Sequence, residues 1–119
     1  MIIREVVKMN GDETIEEVIK MLYERNVGSV VVTDNEGKCT GIFTERDAIR
    51  TLATKIPLNK PLQEVMTRNV ITIGEGASFA EAKHLYKAHG IRHVPVVDEQ
   101  DHLVGILSIR SILDELVGS

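Results

Sequence analysis

The sequence predicts a mixed α/β (α+β) fold made of two β-α-β-β-α repeats packed sheet to sheet about a pseudo-twofold axis. The first observation behind this is a self-alignment at a constant offset of 64 residues, without a gap. Val6 falls on Val70, Glu17 on Glu81, Val30 on Val94, Asp34 on Asp98, Gly41 on Gly105, Arg46 on Arg110 and Leu52 on Leu116. The second is the order of signals inside each half: a β-branched run, a turn, and a Gly-Ile strand that meets a hydroxyl-capped helix. Repeats detected this way define the architecture before any single element does. Each half holds about 50 residues, marginal for an independent core. Packing the two sheets together would hide one face of each and create two equivalent clefts. The expected divisions are repeat one over 1–54, a linker over 55–61, and repeat two over 62–119.

Taken in order, Glu5–Met9 is a short strand and Asn10-Gly11-Asp12 a turn. Thr14 and Glu17 form a capping box, and Ile15, Val18, Ile19 and Leu22 give the helix after it one apolar stripe. Asn26 ends that helix. Ser29–Thr33 is a buried strand, Asp34–Gly37 a hairpin turn, and Cys39–Phe43 the return strand. Thr44 caps a helix through about Ala53, with Ala48, Ile49 and Leu52 as its apolar face. Pro57 and Pro61 break regular structure in the linker, and Leu62–Met66 allows one helical turn. The pattern then returns. Val70–Ile73 is a strand, Ser78 and Glu81 a second capping box, and Phe79, Ala82, Leu85 and Tyr86 an inward helix face ended by Gly90. Arg92–Val97 and Leu103–Leu107 are strands around the Asp98–Asp101 turn. Ser108 caps a last helix with Ile109, Ile112, Leu113 and Leu116 apolar.

Composition narrows the function classes. The chain is 43% hydrophobic and 27% charged with no Trp, so its core is aliphatic. A net charge of −4 argues against nucleic-acid binding, which needs a clustered basic face. The single cysteine, Cys39, excludes an intrachain disulfide and reads as a small core residue. No membrane-length apolar stretch and no signal-peptide layout is present, so a cytoplasmic, soluble protein is expected. His84, His89, His93 and His102 match no zinc spacing, and no metal site is expected. Neither a P-loop nor a Gly-x-Ser-x-Gly elbow occurs, so no enzyme activity is expected.

Most of the chemistry concentrates at Gly41-Ile42-Phe43-Thr44-Glu45-Arg46-Asp47. Gly41 permits close backbone approach, Thr44 is a natural N-cap, and Asp47 falls in the first helical turn. On the residues alone, two readings stand: a helix cap and nothing more, or half of a ribose-binding site. An ionised carboxylate accepts two vicinal hydroxyls well. The helix N-terminus beside it favours anions. In the second repeat Ser111 replaces Asp47, so its cleft should hold a nucleoside more weakly.

The runs Met66–Ile73, Gly90–Asp98, Gly105–Arg110 and Gly41–Asp47 together resemble the CBS-domain family, and specifically a tandem CBS pair, the Bateman module. The resemblance covers nearly the whole chain. It implies binding of AMP, ADP, ATP or S-adenosylmethionine between the repeats, and pairing of modules into a homodimer. It puts Asp47 at the ribose position, with Thr44 placed for ribose or phosphate. Arg92, His93, Arg110 and Arg46 become phosphate contacts, although a solvated charge or surface salt bridge explains Arg92 and Arg110 equally well, and a partly buried strand histidine explains His93. Ile71, Thr72, Val94 and Pro95 become an adenine slot. The expected function is a regulatory adenosine-nucleotide sensor, needing no cofactor beyond its ligand and acting in trans on an unidentified protein. The alternative is a ligand-free structural or protein-interaction module.

Overall fold

The computed structural model describes residues 6–90 and 93–108. Its order is β1 (Lys8–Asn10), α1 (Ile15–Arg25), β2 (Ser29–Thr33), β3 (Cys39–Thr44), α2 (Glu45–Ala53), a 3-10 turn (Leu62–Glu64), β4 (Ile73–Gly74), α3 (Phe79–His89), β5 (His93–Val97) and β6 (Leu103–Ser108). Two three-stranded sheets result, ordered β1-β2-β3 and β4-β5-β6. The mixed α/β class and its two repeats are therefore as the sequence predicts. The last helix expected after Ser108 lies outside the described residues. Two compact units divide the chain, Val7–Val70 and a second that begins at Ile71.

The 64-residue offset holds at the level of single hydrogen bonds. β1 pairs parallel with β2 through Met9 and Val32, and β4 with β5 through Ile73 and Val96. Both antiparallel pairs place a glycine opposite the same valine, Gly41 facing Val32 and Gly105 facing Val96, and both shift register at the next residue. Each hairpin turn is built on an aspartate. Asp34 Oδ1 accepts from the backbone N–H of Glu36 at 2.9 Å and of Lys38 at 3.0 Å. Asp98 Oδ1 accepts from Gln100 and His102, both at 2.9 Å. These bonds hold both carboxyls below their ordinary 3.8, the bond from Lys38 being the largest cause for Asp34 and that from His102 for Asp98. Asp101 then takes the left-handed conformation (φ 64°) that Gly37 takes in the first turn (φ 83°).

In the first unit, Ile15, Val18 and Leu22 of α1 pack on Met9, Val30, Val32 and Phe43. The same cluster takes in Leu62, Val65 and Met66, with Ile56 and Leu58 against it. The proline-bearing stretch joining the repeats is thus a strap on the first. Leu58 and Lys60 carbonyls accept the otherwise orphaned N–H groups of Glu16 (2.9 Å) and Ile15 (3.0 Å) at the start of α1. Leu62 and Gln63 N–H groups donate to Glu13 (2.7 Å) and Gly11 (2.9 Å). In the second unit a smaller core joins Ile73, Ala82, Val94, Val96 and Leu107, with Phe79, Leu85 and Tyr86 beside it.

Some expectations are corrected. Ile49 and Leu52 do not face the core: they are 67% and 55% exposed, and of the expected face only Ala48 is buried, together with Asp47 and Thr51. The pull of Asp47 into hydrogen bonds turns the helix that way. Among the described residues, only Thr44 and Asp47 form a reciprocal capping box; Thr14 and Ser78 cap Glu17 and Glu81 N–H groups without a return bond. The first strand begins at Lys8 and the fourth at Ile73, both later than the hydrophobic runs suggest, because pairing with β2 and β5 defines them. Cys39 is half-buried rather than core, and its thiol lies 3.7 Å from the Gly41 carbonyl.

Candidate functional site: the strand-to-helix junction at Thr44–Asp47

Strand β3 runs directly into α2, with no intervening loop. Thr44 is the last strand residue and also the N-cap, with extended backbone angles (φ −111°, ψ 171°). Its Oγ1 accepts the Asp47 N–H at 3.3 Å, and its own N–H donates to Asp47 Oδ2 at 3.0 Å. Glu45 N–H is satisfied by the Gly28 carbonyl at 3.1 Å, which ties the helix start to the turn before β2. The buried Gly41 makes the junction compact. A Cβ there would come 2.5 Å from Met66 Sδ, so any other residue would force the Met66 side chain aside, in keeping with the close approach that its place in the sequence suggests.

Asp47 is 4% exposed, unusual for a carboxylate and explained by its donors. Besides the Thr44 N–H, Oδ2 receives the Thr44 hydroxyl at 3.2 Å. Thr67 Oγ1 lies 3.3 Å from both carboxylate oxygens. Arg50 Nη2 is 3.0 Å from Oδ1 and also donates to the Val65 carbonyl at 3.0 Å. Thr67 is fixed in turn by two backbone bonds with Ile42, N–H to carbonyl each way, at 2.9 and 3.0 Å. The segment Val65–Thr67 is therefore clamped across the junction by α2 and β3. No buried side-chain polar atom is left unpaired among the described residues.

Thr67 and Arg50 are the two members of this network that sequence reasoning did not single out. A signal for Arg50 was present, since it stands at i+3 from Asp47 on a helix. Thr67 carried no local signal, being twenty residues away. Of the expected site residues, the structure unites Thr44 and Asp47, while Arg46 stands on the exposed side of the same turn. His93, Val94 and Pro95 lie on β5 of the second unit, and Ile71 and Thr72 just precede β4 rather than lying on it. Val94 faces the α3 core, and Pro95, the next residue along the strand, faces the other way. They do not share one apolar wall. Arg92, Arg110 and Ser111 lie outside the described residues. Thr72 borders an open cleft of about 500 Å³ between β4 and α3, whose polar lining includes Glu81 and His84.

Among the described residues, no His, Cys, Asp and Glu cluster could hold a metal ion, and no helix is long and apolar enough to cross a membrane.

Comparison with known proteins places this geometry. The CBS domain family matches residues 1–54 and again 62–118. A CBS domain protein from Pyrobaculum aerophilum, solved in complex with AMP, is 31% identical, has a TM-score of 0.87, and is matched over 99% of this chain and 95% of its own. The CBS domain pair of protein MJ0100, solved with 5'-methylthioadenosine and S-adenosyl-L-methionine, is 30% identical with a TM-score of 0.87, over 97% of this chain and 90% of that one. The CBS domain-containing protein YhcV of Bacillus subtilis is 32% identical over 97% of this chain and 85% of its own length. Inosine-5'-monophosphate dehydrogenase of Methanocaldococcus jannaschii is 32% identical over 95% of this chain, which spans only 22% of that enzyme. Two further relatives, from Acidianus ambivalens and Methanopyrus kandleri, are spanned over 66% and 57% of their lengths. With two matched repeats, two three-stranded sheets and a close structural match over nearly the whole chain, this chain belongs to the CBS domain family, as a tandem pair of CBS domains.

Proposed function

We propose that the chain is a regulatory module that binds an adenosine-containing ligand, namely AMP, ADP, ATP or S-adenosylmethionine. Asp47 would accept the ribose hydroxyls and Thr44 would assist. The observation that carries this is the carboxylate held by a capping box at a helix start, in a fold whose solved relatives hold AMP, S-adenosylmethionine and 5'-methylthioadenosine. Arg46, His93, Arg92 and Arg110 are the phosphate contacts of this reading. Thr72, Ile71 and Pro95 border the base, with Val94 contributing through its backbone. The relatives that are enzymes share only this region, so the role is regulatory rather than catalytic.

Signalling would run in trans, by a population shift between ligand-closed and open forms of a homodimer in the cytoplasm. The outward Ile49 and Leu52 on α2 give that dimer an apolar surface. The test is isothermal titration of the four ligands into the purified chain. Binding of one at about one per chain, lost in Asp47→Asn, supports the reading. Turnover of ATP would sink the non-enzymatic part. A second reading, a ligand-free interaction module, draws on the internal donors that already fill the Asp47 carboxylate. No heat and no thermal shift with any of the four would favour it.

A further inference from the structure

Two carboxylate oxygens offer about four acceptor positions. At Asp47 these face the Thr44 N–H, the Thr44 hydroxyl, the Thr67 hydroxyl and the Arg50 guanidinium. A ribose brings two hydroxyl donors to a group that is 4% exposed. At least one internal donor has to leave first. The Thr44 N–H is held by the cap, and its hydroxyl also accepts the Asp47 N–H. The two backbone bonds of Thr67 with Ile42 keep its side chain beside the carboxylate, where the hydroxyl can turn but not withdraw. Arg50 differs from all three: its side chain is 55% exposed, and it reaches the carboxylate on a long stem that water can take up.

We propose that Arg50 is a latch that masks the ribose acceptor and thereby sets the affinity of the site for its ligand. This rests on Asp47 being that acceptor. The latch has a second consequence. Arg50 also holds the Val65 carbonyl, so its departure loosens the Val65–Thr67 crossing at the moment the ligand arrives. The sequence carries an independent trace of the pairing. At the 64-residue offset Ser111 replaces Asp47 and Asp114 replaces Arg50, so acceptor and latch are absent together from the second repeat.

The sign of the effect separates this role from the ordinary one. An arginine that pairs with ligand phosphate loses affinity when it is removed, whereas a latch gains it. Titration of AMP and of S-adenosylmethionine into the full chain, its Arg50→Ala and Arg50→Met variants, and Asp47→Asn decides the matter. The expected result is roughly 2- to 5-fold tighter binding in both Arg50 variants, the worth of one half-exposed ion pair no longer displaced. Arg50→Met keeps the aliphatic stem and guards against loss of fold. Unchanged or weaker binding in the Arg50 variants, with binding abolished in Asp47→Asn, overturns the latch and leaves the ribose site standing. Wild-type affinity in Asp47→Asn overturns the ribose assignment itself, and the latch with it.

Discussion

Replacing Asp47 by alanine is expected to destabilise the first repeat by about 3 kcal/mol with no ligand present. The figure follows from what the carboxylate holds. The Thr44 N–H, 3.0 Å away at a buried junction, is left without an acceptor, which costs roughly 1–3 kcal/mol. The Thr67 hydroxyl loses its partner for about 1 kcal/mol more. Loss of a negative charge at the start of α2 adds about 0.5 kcal/mol. Arg50 contributes little, because its exposed side chain keeps the Val65 carbonyl and gains water. Relief of the buried carboxylate's desolvation offsets part of the sum. For a chain of 119 residues, 3 kcal/mol lowers Tm by roughly 10 °C. Scanning calorimetry or a urea titration reads this directly. Asp47→Asn, which keeps the volume and one acceptor oxygen, should fall about halfway. A Tm shift under about 3 °C for Asp47→Ala would refute the network as the reason this residue is buried. The same magnitude governs how binding tests are run. Loss of ligand affinity in Asp47→Ala speaks for ribose recognition only at temperatures well below that variant's own midpoint.

Other perturbations have equally definite outcomes. Gly41→Ala drives a Cβ to 2.5 Å from Met66 Sδ and should cost about 1–3 kcal/mol, less in a Met66→Ala background; additive losses by urea denaturation would deny the contact. Asp34 and Asp98 have folded-state pKa values below the ordinary 3.8, so their stabilising contribution is complete above that value and fades as pH falls through the folded values. Acid melts of the Asp34→Asn, Asp98→Asn double variant should therefore show a flatter loss of Tm below about pH 4 than the parent. Burial raises the Cys39 thiol above its ordinary 9.0, so alkylation at neutral pH should be slow in the folded chain and fast in urea; equal rates would contradict the half-buried placement. Ser111→Asp, in the second repeat, should raise the ligand stoichiometry from about one toward two, measured by titration.

Periodicity and repetition made most of the fold legible. The offset of 64 residues found by matching residues recurs in the bulges, the glycine pairings and the aspartate turns, because each of those is fixed by local backbone chemistry. α1 was readable for the same reason, its stripe of Ile15, Val18 and Leu22 being also its buried face. α2 misled because hydropathy assumes apolar residues go inward. There a carboxylate and a threonine are buried by hydrogen bonds, Thr51 Oγ1 to the Asp47 carbonyl at 2.7 Å among them, and Ile49 and Leu52 rotate outward. The cap and the acid of the candidate site were visible as a short-range pattern. Thr67 was not, since no local rule links a residue to a partner twenty positions earlier. The strap over Leu58–Gln63 was hidden similarly: two prolines announce a break in regular structure but do not say what the extended chain will lie against.

The strap also bears on how the protein is made. A ribosome that has delivered both strands of the first hairpin and the whole of α2 has not yet delivered Leu62, Val65 or Met66, which complete the core around Phe43 and Ile15. Until then the first turn of α1 keeps bare N–H groups at Ile15 and Glu16. The nascent repeat stays open for the synthesis of more than a dozen further residues, with its apolar interior accessible to chaperones or to aggregation. The compact unit ends at Val70, past the position 54 at which the first family match stops. The matched repeat and the packed core are thus out of phase in this chain, and a fragment cut at the repeat boundary would strand a partial core.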